Sequence, residues 1–269
     1  MKSKLGISKQ LFIALTIVNL SVTLFSVVLG YVIYNYAIEK GWISLSSFQQ
    51  NAQVWNAAIA HELRTPITIL QGRLQGIIDG VFKPDEVLFK SLLNQVEGLS
   101  HLVEDLRTLS LVENQQLRLN YELFDFKAVV EKVLKAFEDR LDQAKLIPEL
   151  DLTSTPVYCD RRRIEQVLIA LIDNAIRYSN AGKLKISSEV VSQNWILKIE
   201  DEGPGIATEF QDDLFKPFFR LEESRNKEFG STGLGLAVVH AIVMALKGTI
   251  QYSNQGSKSV FTIKISLNN

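Results

Sequence analysis

Residues 161–178 read RRRIEQVLIALIDNAIRY. Ile164, Val167, Leu168, Leu171 and Ile172 recur at the three- and four-residue spacing of one helix face. The stretch predicts an amphipathic helix with Asp160 as its N-cap. Its final turns are polar: Asp173, Asn174, Arg177 and Tyr178. An amide carbonyl such as that of Asn174 suits Mg²⁺, a hard cation that prefers oxygen ligands and is usually bound together with phosphates. Arg177 suits phosphate directly. The same residues also read as a plain polar helix end, with Arg177 well placed against the helix dipole.

Working outward, strands are expected at 119–124, 147–152, 183–191, 195–200, 249–253 and 260–267, and further helices at 126–145 and 234–246. Asp125 is the expected N-cap of the first of these helices. The order is not strictly βαβ, so the reading is an α+β layer, one sheet covered by helices.

Two glycine-bearing segments flank this frame. Asp201-Glu202-Gly203-Pro204-Gly205-Ile206 follows a strand. Gly203 and Gly205 permit close backbone approach to a ligand, and Asp201 is able to accept hydrogen bonds from a base amine. Taken alone, the segment also reads as a strand-ending turn. Gly230-Ser231-Thr232-Gly233-Leu234-Gly235-Leu236 opens an apolar helix, where backbone N–H groups form an anion site. It lacks the lysine of a Walker A loop and the preceding strand of a dinucleotide fold. The polar run 220–228 before it reads as a flap over phosphates, flanked by Phe215, Phe218 and Phe219.

Upstream, Val54, Ala58, Ile59, Leu63, Ile67, Leu70 and Leu74 mark a helix from Asn51 to about Asp79-Gly80. A second helix opens at Pro84, with Asp85 and Glu86 in its first turn and apolar residues from Leu88 to Leu109. Each helix of this hairpin has one apolar stripe. Two hairpins satisfy each other as a dimeric four-helix bundle; a monomeric hairpin packed on the downstream region is the alternative. The first helix carries His61-Glu62-Leu63-Arg64-Thr65-Pro66. A zinc-protease helix would need a second histidine where Thr65 stands, which excludes that reading. A neutral imidazole is able to attack phosphorus, and the neighbouring carboxylate can fix its tautomer and support the developing charge. An ordinary surface His–Glu pair has the same sequence. Pro66 inside the pattern costs about 3 kcal/mol in a helix interior and marks a bend.

The 269 residues carry 30 acidic and 29 basic side chains, a net charge of −1 and one cysteine. There is no general pull toward nucleic acid, and no direct nucleic-acid binding is expected. One cysteine excludes an internal disulfide and a cysteine-rich zinc site. With 46% hydrophobic residues the chain forms a core. Its mean hydropathy of +0.09 traces to residues 11–34, which contain no charge. Those residues are long enough for a transmembrane helix and too long for the core of a signal peptide. Lys2, Lys4 and Lys9 before the span place the N-terminus in the cytoplasm, so a single span sends the remainder outward. Residues 35–50 are the expected connector.

HELRTP, DNAIRY, DEGPGI, LFKPFFR and GSTGLGL stand in the order of the H, N, G1, F and G2 boxes. From Asn51 onward the chain resembles a bacterial two-component sensor histidine kinase, and within that family it is most similar to the sensors that control multidrug efflux. The resemblance implies a dimerisation and phosphotransfer hairpin at 51–115 and a GHKL (Bergerat-type) ATP-binding sandwich at 116–269. By matching position, His61 is the phospho-acceptor, Glu62 the supporting acid, and Thr65 the residue that helps water dephosphorylate the partner regulator. Asn174 is the Mg²⁺ ligand, Asp201 the adenine reader, and Gly203 and Gly205 shape its pocket. Arg177 and Tyr178 contact nucleotide, and Gly233 and Gly235 lie on the phosphate side. The implied cofactors are ATP and Mg²⁺. The implied partners are a response regulator receiver domain, a second copy of the chain and the inner membrane, with the catalytic region in the cytoplasm. A conformational ATPase of the same superfamily and a non-catalytic or phosphatase-only regulator scaffold are the rival readings.

Two departures stand out. Ala170 occupies the place of an earlier asparagine of the N box. Such sensors also have a second span and a HAMP relay before the H box. Only 16 residues separate Tyr34 from Asn51, so an internal deletion with a junction near Gln50-Asn51 is expected.

Overall fold

The computed structural model describes residues 45–154, 156–221, 232–256 and 258–267, without the side chains of 45–57 and 255. The expected span at 11–34, most of the connector, Gly230, Ser231 and most of the 220–228 flap lie outside these residues. Among the described residues no helix is long and apolar enough to cross a membrane. The chain divides into two compact units, 1–61 and 62–269.

Helix α1 runs from Leu45 to Ile78 and contains Pro66. It begins six residues before the expected Asn51, so the end of the connector is helical. Helix α2 spans Glu86–Glu113. Pro84 stands outside it, not at its first position. Asp85 is the N-cap, because its carboxylate accepts from the Leu88 N–H at 2.7 Å and satisfies a donor that the helix start leaves open. The hairpin is joined at the turn by the Arg73 guanidinium, which donates to the Ser91 hydroxyl.

Beyond Asn114 come β1 (Glu122–Phe124), α3 (Phe126–Ala136), α4 (Glu138–Ala144), β2 (Leu146–Leu152), β3 (Val157–Cys159) and α5 (Arg161–Tyr178). They are followed by β4 (Gly182–Val191), β5 (Asn194–Asp201), α6 (Thr208–Gln211), α7 (Gly235–Ala245), β6 (Thr249–Gln255) and β7 (Lys258–Ser266). The single helix expected at 126–145 is two, broken at Phe137, whose N–H bonds to the Val133 and Leu134 carbonyls close α3. Strand β3 was not expected; three residues are too few for a periodic signal. It pairs antiparallel with β1.

The main sheet has the order β2-β4-β5-β7-β6, with β2 parallel to β4 and the other pairs antiparallel. Alternation along the strands puts Leu184, Ile186, Trp195, Leu197, Ile199, Phe261, Ile263 and Ile265 on the buried face. The apolar faces of α3, α5 and α7 cover them with Val130, Ile164, Leu168, Ile172, Val239 and Val243, all fully buried. Phe126 meets Trp195 edge to face at 4.8 Å. The other face is solvated and carries ion pairs such as Lys183–Glu149 at 2.7 Å. Cys159 lies in the core, where burial pushes its thiol up to about 12 and leaves it inert. The result is a five-stranded sheet with helices on a single face beside the small β1–β3 sheet, so the expected α+β class holds with two sheets where one was expected. The functional segments sit where its strands and helices end.

Candidate functional site

A cavity of about 1060 Å³ opens at one end of this layer. Asn174, Arg177, Tyr178, Asp201, Gly203, Gly205, Gly233 and Gly235 all line it. Three stretches of chain, 174–178, 201–205 and 233–235, thus bring together the eight residues expected at a nucleotide site. His61, Glu62 and Thr65 belong to α1 and are not in the lining; His61 and Thr65 are exposed on it.

Asp201 ends β5 at 4% exposure. Burial raises its carboxyl above the ordinary range, while the Gly203 N–H and the Ser179 hydroxyl oppose that rise by hydrogen bonding the charged form. The Gly203 N–H donates to Oδ1 at 2.8 Å. A Cβ on Gly203 would lie 2.7 Å from that oxygen, so a side chain there would block the acceptor. Gly205 has φ +77°, and a Cβ would meet Asn254 Oδ1 at 2.9 Å. Asn254 closes this turn: its Nδ2 donates to the Ile206 carbonyl at 2.9 Å, and its Oδ1 accepts from the Tyr252 hydroxyl at 2.5 Å. The result is a deep, walled acceptor of the kind a purine amine needs.

On the opposite side, Gly233 adopts φ +68° and its carbonyl accepts from the Phe218 N–H at 2.9 Å. Phe218 is itself left-handed, at φ +63°. Gly235 then starts α7 at the cavity wall, with no side chain of the N-cap residue Leu234 closing this helix N-terminus. Phe210 and Phe219 lie 6.4 Å apart beside this turn, and Phe215 stacks on His240 at 5.5 Å.

Asn174 and Arg177 project from the last turns of α5. Asp173 accepts from Arg177 Nε at 2.6 Å and from Arg140 Nη2 at 2.5 Å. Motif reading named Asp173 only as part of a polar helix end and missed Arg140 entirely, since Arg140 lies 33 residues away with no local pattern. Helix α2 also reaches the cavity through Gly98, His101, Leu102 and Asp105. Asp105 is pushed up to about 7 by burial, then by the charges of Glu104 and Asp173.

The residues present fit a nucleotide with its metal. The glycine turns leave room that a Cβ would fill, a buried carboxylate supplies the acceptor, and the Asn174 amide is an oxygen donor suited to an ion held mainly by phosphates.

Residues 53–115 match the His Kinase A (phospho-acceptor) domain, and residues 159–269 match the histidine kinase-, DNA gyrase B- and HSP90-like ATPase. The chain is similar to a solved structure of Acinetobacter baumannii histidine kinase AdeS, with 89% identity and TM-score 0.68, covering 78% of this chain and 98% of that one. It is 35% identical to the signal transduction histidine-protein kinase BaeS of Escherichia coli K12 over 209 residues, 77% of this chain and 45% of the relative. A structure of histidine kinase ThkA in complex with response regulator protein TrrA matches at 27% identity and TM-score 0.62, covering 83% of this chain and 64% of that one. The chain spans less than half the length of curated relatives such as BaeS and, at 37%, the sensor protein SrrB of Staphylococcus aureus. Cavity, hairpin and these matches converge, and the chain belongs to the histidine protein kinases of two-component signalling.

Proposed function

We propose that this chain binds Mg-ATP in the cavity, transfers the γ-phosphoryl group to His61 and passes it to an aspartate of a response regulator receiver domain. The observation that carries the reading is the convergence of Asn174, Arg177, Asp201 and the Gly233–Gly235 turn on one cavity, in a chain that also holds an exposed His61 followed by a half-buried Glu62.

The residues act mainly by positioning and by neutralising charge. Asp201 accepts from the adenine amine. Gly203 and Gly205 let the base approach the backbone. The α7 N-terminus and Arg177 hold phosphate oxygens, and Tyr178 borders them. Asn174 would hold the Mg²⁺ through its side-chain oxygen, and the ion would supply neutralisation of phosphate charge. Glu62 keeps the proton on one ring nitrogen of His61, so the other nitrogen attacks phosphorus. As that bond forms, the bond to the β–γ bridging oxygen breaks and ADP leaves. Thr65 helps a water molecule hydrolyse the phosphoryl group from the aspartate of the partner regulator.

Several finer points belong to the same reading. Ile67, Leu74, Ile78, Leu93, Val96 and Val103 are exposed on the hairpin, an apolar surface suited to a second copy in a four-helix bundle. The 89% identity to AdeS supports an AdeR-like receiver as partner and control of multidrug efflux as output. The apolar run 11–34 supports inner-membrane attachment, and the family resemblance, not the charge bias of a single span, supports a cytoplasmic kinase region.

The test is His61→Gln in the complete chain, incubated with γ-labelled ATP. Phosphoprotein is expected to disappear while nucleotide binding persists. Continued labelling would remove His61 as acceptor, and ATP turnover without any phosphohistidine would favour a conformational ATPase.

A further inference from the structure

Asp173 is held at both of its oxygens. Arg177 Nε lies 2.6 Å from Oδ2 within α5, and Arg140 Nη2 lies 2.5 Å from Oδ1 across from α4. Arg140 is fixed in turn: its guanidinium lies over the Phe137 ring, 5.0 Å from the centroid. Phe137, Arg140, Asp173 and Arg177 all line the cavity. A carboxylate bonded through one oxygen is able to rotate and carry its partner with it. One bonded through both oxygens to arginines on different helices has its plane fixed.

We propose that Arg140 is a positioning residue for the nucleotide phosphates, acting through Asp173 to set the orientation of the Arg177 guanidinium. This rests on the reading of the cavity as the ATP site. Arg140 lies outside every motif in the sequence, and its side chain is 44% exposed. A pair so open to water contributes little to folding. Its contribution is directional: Arg177 is anchored through Nε, so the plane of its fork is set by the carboxylate, and the carboxylate is set by Arg140. Partners of this kind, one step removed from the ligand, commonly decide how well a binding group is aimed.

The experiment uses the complete chain with Arg140→Met, Arg177→Met, the double variant and Arg140→Lys. Affinities for Mg-ATP and for adenosine are measured by calorimetry, alongside thermal midpoints. Arg140→Met is expected to weaken Mg-ATP by ~5–10-fold, the size of an ordinary pairwise coupling. Adenosine affinity and the thermal midpoint should stay as in wild type. The double variant should lose no more than Arg177→Met alone, because Arg140 acts through Arg177. Arg140→Lys, which keeps the charge without the planar fork, should fall between wild type and Arg140→Met. Losses that multiply in the double variant would overturn the proposal, as would equal losses for ATP and adenosine. A wild-type chain that binds ATP while Arg140→Met binds it equally well overturns the proposal alone. A wild-type chain that binds no ATP overturns the reading of the cavity as well.

Discussion

The Gln166 side-chain amide on α5 donates to the Thr108 hydroxyl on α2 at 3.3 Å. Thr108 is 1% exposed, and Leu102 and Leu109 on the same helix are buried with it. Gln166 accepts in turn from Arg163 at 2.9 Å, so one polar chain ties the second hairpin helix to the helix that carries Asn174.

Thr108→Val keeps the shape of that contact and deletes its hydroxyl. The amide left behind should cost ~1–3 kcal/mol. The expected result is a lower unfolding midpoint and faster protease cleavage in the 114–121 connection. Cleavage at the wild-type rate would show that the bond does not hold the two parts together.

Asp105 gives the fold a pH dependence. Its folded-state carboxyl titrates at about 7 against an ordinary value of 3.8, because of burial, Glu104 and Asp173. Between those values the folded chain keeps a proton that the unfolded chain has released. Stability therefore falls as pH rises through that window and levels off above it, a change on the order of a few kcal/mol. Asp105→Asn should flatten the slope and leave the variant more stable than wild type at pH 8. Urea titrations at pH 5 and pH 8 read this directly, and parallel slopes for the two proteins would count against it.

Gly233→Ala and Gly235→Ala separate two uses of glycine. At Gly233 a Cβ would sit 2.8 Å from the Phe218 backbone at φ +68°; at Gly235 the nearest neighbour is the Ala170 Cβ at 4.0 Å. The first substitution should cost ~1–3 kcal/mol of backbone strain and weaken nucleotide binding, because the turn must move. The second should leave the thermal midpoint near wild type. Equal drops in both variants would contradict the steric account.

Asp201→Asn replaces an acceptor oxygen at the floor of the cavity by an amine donor. Whichever way the amide turns, its NH2 takes the place of one carboxylate oxygen and faces a donor, either the Gly203 N–H or the base amine. ATP affinity should fall at least ~10-fold, by the cost of one unpaired buried group, and the loss should be smaller for GTP, whose base has a carbonyl at that place. A variant that still prefers ATP as strongly as wild type would remove Asp201 from base recognition.

Much of this architecture is legible in the sequence because its signals are local. The helix at 161–178 is found at its observed bounds, since an apolar face at 3.6-residue spacing and an aspartate cap both mark it. The glycine segments likewise announce close backbone approach before any coordinates. Arg140 is different: its partner lies on another helix, and only folding puts Asp173 beside it. Thr108 and Asp105 escape notice for the same reason, as polar residues in a pattern dominated by leucines. The break at Phe137 is invisible because residues 126–145 keep good helix formers throughout.

The reach of α2 into the cavity wall has a pharmacological consequence. His101, Leu102 and Asp105 extend the lining beyond the glycine turns and Asp201, the nucleotide contacts proposed above. A competitive inhibitor confined to the adenine floor meets only features expected throughout the gyrase- and HSP90-like ATPases. One elongated toward α2 meets side chains contributed by the phospho-acceptor hairpin. Selectivity for the kinase over its ATPase cousins is therefore to be sought along that wall.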